Sequence, residues 1–344
     1  MKTKTIILAA SIIIILGSMT FWSYWTFSAP DKTCLSCHEI GIAYDNWAQS
    51  AHRDIDCKNC HGGALSSGLH SLQENARRVF QHYSEDYHDD IGLSEQQVID
   101  IMQECRGCHQ REYANWQSSG HSMTYEAVYL NEEHNTTERL NNDCLRCHGI
   151  FYKGAVNDIV TPINMEGPWK LVNPEFADQP TIPCLTCHRI HAQGVPATAP
   201  NYAHPENISY QRNRVVRVGF YDRREKMFIP AEILPVLELR NDEIIVTSDE
   251  VQRVCTQCHA PIVHHIAGTS DDKTPRGVHE GLACSSCHAA HSNETAQSCS
   301  NCHPSLSNCG LDVKTMNTTF KTANSPHDIH FMECTDCHTD GIPG

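Results

Sequence analysis

Positive charge and aromatic side chains are both scarce in this chain. Of its 344 residues only 26 are Lys or Arg, against 41 Asp and Glu, and the formal net charge is −15. This acidic balance argues against nucleic acid as a partner. Phe, Trp and Tyr together supply 7 % of the residues and the mean hydropathy is −0.43, so a large conventional core is not indicated.

Cysteine is almost absent outside one motif. Eighteen of the 19 cysteines lie in nine copies of Cys-x-x-Cys-His. This is the attachment signature of c-type haem, in which two thiols form thioethers with the haem and the adjoining histidine reaches the iron. Structural zinc and disulfide frameworks also pair cysteines, but neither requires a histidine after every second one. The pattern predicts nine covalently bound haem c groups, and the chain resembles a multihaem cytochrome c.

Each motif supplies two predicted thioether cysteines and one predicted proximal iron ligand. The cysteines are Cys34, Cys37, Cys57, Cys60, Cys105, Cys108, Cys144, Cys147, Cys184, Cys187, Cys255, Cys258, Cys284, Cys287, Cys299, Cys302, Cys334 and Cys337. The proximal histidines are His38, His61, His109, His148, His188, His259, His288, His303 and His338. The remaining cysteine, Cys309, is interpreted as an inert buried thiol, with an unusual iron ligand or an intermolecular bond as alternatives.

Fourteen histidines lie outside the motifs and could fill the sixth coordination position of the irons. A second imidazole gives a six-coordinate haem that passes electrons, whereas an open position admits small molecules. A histidine three residues after a motif histidine cannot bend back over its own haem, so a neighbouring iron is the expected target. The candidate distal ligands are His52, His121, His191, His279 and His291, followed by His70, His204, His264, His327 and His330. The pairs His264/His265 and His327/His330 are each expected to contribute one ligand. The histidines interpreted as solvated are His82, His88 and His134.

The amino-terminal segment has no charge between Lys4 and Asp31. Residues 6–27 are apolar and end in aromatic side chains, and about 20 such residues can cross a bilayer as a helix. Lys2 and Lys4 would keep the start of the chain cytoplasmic. We therefore predict an uncleaved membrane anchor that holds the first haem at the membrane surface, with a cleaved signal peptide as the alternative.

Nine haems leave about 38 residues each, too few for separate conventional cores. We expect a mainly α fold with long loops, wrapped around a haem stack. Helices are predicted over residues 70–83 and from a capping box at Ser94 and Gln97 into Cys105.

The widest interval between motifs, 71 residues from Cys184 to Cys255, divides the chain. The predicted units are an anchor or signal at 1–28, a five-haem domain at 29–204, a haem-free β insertion at 205–250 and a four-haem domain at 251–344. Within the insertion, β-branched runs at 215–221, 233–239 and 244–246 predict a hairpin or meander near 213–247, with a turn at 240–242. Its expected role is to cover haem edges, with partner docking as the alternative.

Two stretches resemble known families. The first 61 residues, with an apolar anchor, two motifs and a Trp-x-x-Ser-x-His run at 47–52, resemble the start of the NapC/NirT family of membrane-anchored quinol dehydrogenases. The family often has Met two residues after the first motif; here that position is Ile40, which leaves the ligand of the first haem open. Residues 105–148, with a second Trp-x-x-Ser-x-His run at 116–121, are similar to a module of tetrahaem and octahaem cytochromes of nitrogen metabolism.

These resemblances imply an electron-transfer protein in the cytoplasmic membrane with its haems on the periplasmic side. Electrons would enter at the first haem from the quinol pool, with menaquinol as the expected donor, and leave to a periplasmic or extracellular redox protein. One alternative is a reductase or oxidase of nitrogen or sulfur oxyanions with one open haem. Another is a secreted extracellular wire or a respiratory-complex subunit. Whether the chain is an enzyme stays open, with quinol oxidation at the first haem as the expected activity.

Overall fold

The computed structural model describes seven continuous stretches of the chain and a few isolated positions. The stretches are 2–29, 40–61, 93–191, 218–234, 249–259, 273–293 and 329–337, and the isolated positions are 32, 35, 80, 83, 247, 340 and 341. Within them the protein is mainly helical, with short strands, which confirms the coarse fold class. The predicted helix at 70–83 lies outside the continuous stretches, and the predicted domain division stays a prediction.

The described helices are short apart from the first. They are α1 Lys2–Phe27, α2 Gly41–Ala48, α3 Cys57–His61, α4 Glu95–Cys108, α5 Gln110–Gln117, α6 Tyr125–Tyr129, α7 Glu132–Asn135, α8 Glu250–His259, α9 Cys284–Cys287 and α10 Cys334–Cys337. Single 3₁₀ turns occupy Gly120–Ser122, Asn142–Arg146, Val156–Asp158, Pro174–Phe176, Cys184–Thr186, Ala231–Ile233, Gly277–His279 and Ile329–Phe331. Two antiparallel strand pairs complete the described elements: β1 Val160–Thr161 with β2 Lys170–Leu171, and β3 Gly219–Asp222 with β4 Met227–Pro230.

Helix α4 begins where its sequence predicts. The Ser94 hydroxyl accepts from the Gln97 backbone N–H, and the Gln97 side chain accepts from the Ser94 N–H at 3.0 Å, which forms the predicted capping box. Val98, Ile101 and Met102 recur at helical spacing and are buried. The packed face of the helix therefore fixes the position of the motif that begins at Cys105, in the last turn of the helix.

Besides a small cluster of Met102, Tyr113 and Trp116, two larger apolar clusters lie within the described residues. One joins α4, the β3–β4 hairpin and α8 through Val98, Phe151, Phe220 and Val254. The other is built from residues between 125 and 176 and is dominated by the fully buried rings of Tyr125 and Tyr129, which stack at a centroid distance of 5.8 Å. The core is thus local to the middle of the chain.

The predicted β insertion contains a hairpin, but its turn lies at 223–226. The Asp222 carboxylate accepts from the N–H groups of Arg224 and Glu225 at 2.7 and 3.1 Å, and Lys226 takes a φ of 54°. Strand β4 ends at Pro230, which has no N–H to continue the ladder, so the predicted strand start at Ile233 is wrong: this residue lies in a 3₁₀ turn. The predicted turn at 240–242 lies outside the described residues.

Helix α1 is the one long apolar helix in the described ranges. Its stretch Lys4–Tyr24 is 21 residues long and carries no buried side chain. Its length and composition suit a membrane anchor and equally a signal sequence.

Candidate haem-ligand sites

The described motifs all place their cysteines on a single helical turn. In four of them the motif histidine N–H donates to the carbonyl of the first cysteine, at 2.8 Å for His109 and His288, 2.9 Å for His148 and 3.0 Å for His188. Residues three apart on a helical turn lie on one side, so both sulfurs face the same edge. The thirteen motif cysteines whose side chains are described form no disulfide, so their sulfurs are available for haem attachment.

Five motif histidines each face a histidine from outside the motifs. The ring centroids are 6.2 Å apart for His109 and His52, 5.8 Å for His61 and His191, 6.3 Å for His259 and His121, 5.8 Å for His188 and His291, and 5.9 Å for His288 and His330. The structure thus brings five of the ten candidate distal histidines to a motif histidine.

This spacing fits an iron held between the two rings. An imidazole nitrogen binds a metal at about 2 Å and lies about 1.1 Å from its ring centre, so two imidazoles on opposite sides of one metal place their centroids about 6 Å apart. Aromatic rings in direct contact also place their centroids about 4.5 to 7 Å apart. The same spacing recurs in five pairs, each of one motif histidine and one histidine from outside the motifs, and this recurrence indicates shared ligation. The residues present therefore fit haem c with two axial histidines.

The two Trp-x-x-Ser-x-His runs share one local geometry. The serine N–H donates to the tryptophan carbonyl at 2.9 Å in both, for Ser50 to Trp47 and for Ser119 to Trp116. The serine hydroxyl then accepts from the histidine N–H, at 3.0 Å for His52. The corresponding distance for the second histidine is 3.2 Å. Both serines are buried, so the hydroxyl fixes the backbone that presents the histidine.

Two distal candidates have their second ring nitrogen held by a backbone carbonyl. His121 Nδ1 lies 3.2 Å from the Ala290 carbonyl oxygen, and His279 Nδ1 lies 3.3 Å from that of Ile329. Histidine ligands are commonly oriented in this way, with the Nδ1 proton donated to a carbonyl so that Nε2 is left for the metal. The sequence carries no signal for either carbonyl, because both belong to distant segments.

Burial lowers the pKa of several histidines among the candidate ligands. It lowers the pKa of His148, His188 and His191 to about 4, with nearby imidazoles adding to the shift. Burial also lowers the pKa of His259 and His288. A neutral imidazole has the lone pair that a metal needs, so the site is prepared for coordination at neutral pH.

His148 differs from the other motif histidines in the described ranges. Within those ranges no histidine ring lies opposite it at the spacing of the five pairs, and its Nδ1 is buried without a hydrogen-bond partner. His134 lies near enough to His148 to lower the pKa of His148 further. The His134 ring itself contacts Asn135 and lies 3.6 Å from a Glu138 oxygen. His134 is exposed, as its interpretation as a solvated histidine predicts.

The other predicted site residues lie outside the described residues. They are the motif side chains Cys34, Cys37, His38, Cys299, Cys302, His303, Cys337 and His338, the distal candidates His70, His204, His264 and His327, and Cys309.

Comparison with known families gives one match, to the family described as cytochrome c554 and c-prime, over residues 104–166. The matched segment is under a fifth of the chain and contains the motifs at Cys105 and Cys144 together with the second Trp-x-x-Ser-x-His run. It supports a c-type cytochrome, an electron-transfer protein with covalently bound haem c. Comparison with curated proteins and with solved structures gives no match.

Proposed function

We propose that this protein is a membrane-anchored nonahaem cytochrome that relays electrons from a quinol, with menaquinol as the expected donor, to a periplasmic or extracellular redox partner. The observation that carries the proposal is the set of five histidine pairs, each with centroids 5.8 to 6.3 Å apart. Haem c supplies a reversible one-electron change at the iron.

Paired histidines suit a relay because the two imidazoles of a pair could hold one haem iron between them. An iron held in this way would have no free position for a small molecule. The protein's role is then to fix the separation of the redox centres and to set each potential through ligand, burial and hydrogen bonding. The Trp-x-x-Ser-x-His unit fixes the backbone of His52 and of His121, and the Ala290 carbonyl orients the His121 ring.

A contact at the end of α1 supports entry of electrons from a membrane. The Lys58 ammonium group, inside the motif that begins at Cys57, donates to the carbonyl of Ser28, the residue after α1 ends. The second motif is thereby held against the end of the apolar helix. If α1 spans the membrane, as its length allows, this motif lies at the membrane surface, where a quinol head group is accessible.

A second candidate function is a reductase or oxidase of nitrogen or sulfur oxyanions. The observation in its favour is His148, which has no facing histidine ring within the described residues. An iron bound to His148 alone would keep one position for a small ligand.

Electron paramagnetic resonance of the oxidised full-length protein in detergent separates these candidates. The relay predicts low-spin ferric centres throughout, and their reduction by a menaquinol analogue in membranes. A high-spin signal that changes on addition of nitrite or hydroxylamine, and that is lost with the motif at Cys144, would favour the enzyme.

A further inference from the structure

Each distal histidine sits close in sequence to a motif other than the one it faces. His52 faces His109 but lies five residues before Cys57, at the start of the next motif along the chain. The histidine of that motif, His61, faces His191. The segment around Cys57 therefore contacts the third motif through His52. It contacts the segment of the fifth motif through His61.

The same relation continues from the fifth motif. His191 lies three residues after His188, and His188 faces His291. His291 in turn lies three residues after His288. Three residues of chain span at most about 10 Å, so the histidine that completes one site is held directly beside the neighbouring site.

The last link joins the seventh motif to the ninth. His288 faces His330, four residues before Cys334. The segment of His330 is fixed by backbone bonds to the turn before the seventh motif, with Arg276 N–H donating to the His330 carbonyl at 2.6 Å and Val278 N–H donating to that of Met332 at 2.9 Å.

We infer that five haems are held in a spatial order that differs from their order along the chain. The order of attachment sites is Cys105, Cys57, Cys184, Cys284 and Cys334. Each of the first four takes its distal histidine from the segment of the next, so the ligands themselves connect neighbouring haems. This inference rests on the proposed haem ligation and adds the route that electrons follow.

Two further haems lie beside this row. His121, from the segment after the third motif, faces His259 of the sixth. The sulfur of Cys258 lies next to that of Cys147, and the sulfur of Cys284 lies next to that of Cys255, so these motifs are side by side. The haems attached at Cys144 and Cys255 therefore form a side branch that adjoins the row at Cys184 and at Cys284.

The ligand of one haem tests this order. In the full-length His330→Ala holoprotein, one haem loses its distal histidine and becomes high-spin, and cyanide then binds its open iron. A structure of the cyanide-treated variant by electron cryomicroscopy is expected to show cyanide on the haem attached at Cys284. Cyanide on the haem attached at Cys334, the motif nearest in sequence, would overturn the order.

The controls separate failure of the order from failure of the proposed function. His330→Met is expected to restore one low-spin centre with a raised potential, because methionine is also an axial ligand of haem iron. If His330→Ala gives no new high-spin centre, His330 is not a ligand and the ligation itself fails. A new high-spin centre at another haem leaves the relay intact and overturns only the order. Should His330→Ala fail to mature, His291→Ala provides the same test, with cyanide expected on the haem attached at Cys184.

Discussion

The two Trp-x-x-Ser-x-His units, residues 47–52 and 116–121, have the same local hydrogen bonds and different surroundings. In the first, the tryptophan Nε1 donates to the carbonyl of Ile55, eight residues away, at 3.1 Å. In the second it donates to the carbonyl of Ile182, 66 residues away, at 3.3 Å. The short motif fixes how a histidine is presented, and the packing of distant segments decides which motif histidine it faces.

The second unit is also joined to the seventh motif. The Asn293 side chain accepts from the Gly120 N–H at 3.0 Å and donates to the Ser118 carbonyl at 3.4 Å. Together with the Ala290 carbonyl at His121, this ties the unit to the segment that carries His291. The first unit is held mainly by its own neighbourhood, so the two respond differently to substitution.

The largest difference is expected for the tryptophans. Trp116 is 7 % exposed and packs on Tyr113, so Trp116→Ala should lower the free energy of unfolding by about 3 to 5 kcal/mol. Trp47 is only half-buried, and Trp47→Ala should cost clearly less. Chemical denaturation of both holoproteins, followed by the haem Soret band, measures the difference. Equal losses would mean that the two units are equivalent in spite of their different contacts.

The serines should respond alike. Ser50→Ala and Ser119→Ala each leave a partly buried histidine N–H without its acceptor, at a cost of about 1 kcal/mol. The same denaturation experiment should give values that agree within error, and each variant is compared with Ser→Thr at the same position, which keeps the hydroxyl. A loss at one serine only would break the structural equivalence of the units.

A smaller effect is expected for the asparagine that only the second unit uses. Asn293→Ala should cost about 0.5 to 1 kcal/mol, because its two bonds are exposed. It should also broaden the spectral signal of the haem ligated by His121, and leave that of the haem ligated by His52 unchanged. Broadening of both signals would show that the units are coupled through a wider rearrangement.

The smallest effect concerns the Glu95 carboxyl, which is hydrogen-bonded to Tyr125 in the segment that follows the second unit. Burial raises the pKa of Glu95, while the hydrogen bond that it accepts from Tyr125 opposes the shift. Its contribution to stability is therefore complete below its ordinary pKa and is lost as the pH rises through the folded-state pKa. Glu95→Gln cannot ionise, so the stability of the variant relative to the native protein should increase with pH. Urea unfolding at about pH 4 and about pH 8 measures this, with exposed Glu126→Gln as the control; a difference that does not change with pH would contradict it.

Much of the local structure follows from the sequence. The capping box at Ser94, the helical turns of the described motifs and the shared geometry of the two units depend on residues a few positions apart, and the structure agrees with each. A hairpin lies in the predicted insertion, as its composition indicates, but the predicted strand start at Ile233 is wrong, because β4 ends at Pro230 and a 3₁₀ turn follows.

Which histidine faces which motif could not be predicted from spacing. His191 is three residues from His188 and faces His61, a choice that depends on how segments more than a hundred residues apart pack. The carbonyl of Ala290 and the side chain of Asn293 carry no sequence signal for the same reason. The motifs determine the local geometry of each histidine. Which two histidines face each other is determined only by the packing of the folded chain.

The proposed electron relay depends on thioether-bound iron porphyrins at these motifs. Intact mass spectrometry of the full-length protein purified from its native host, with iron and zinc analysis of the same sample, tests this most directly. We predict nine covalently added haems and nine irons per chain. A smaller number of added haems, or zinc in place of iron, would contradict it.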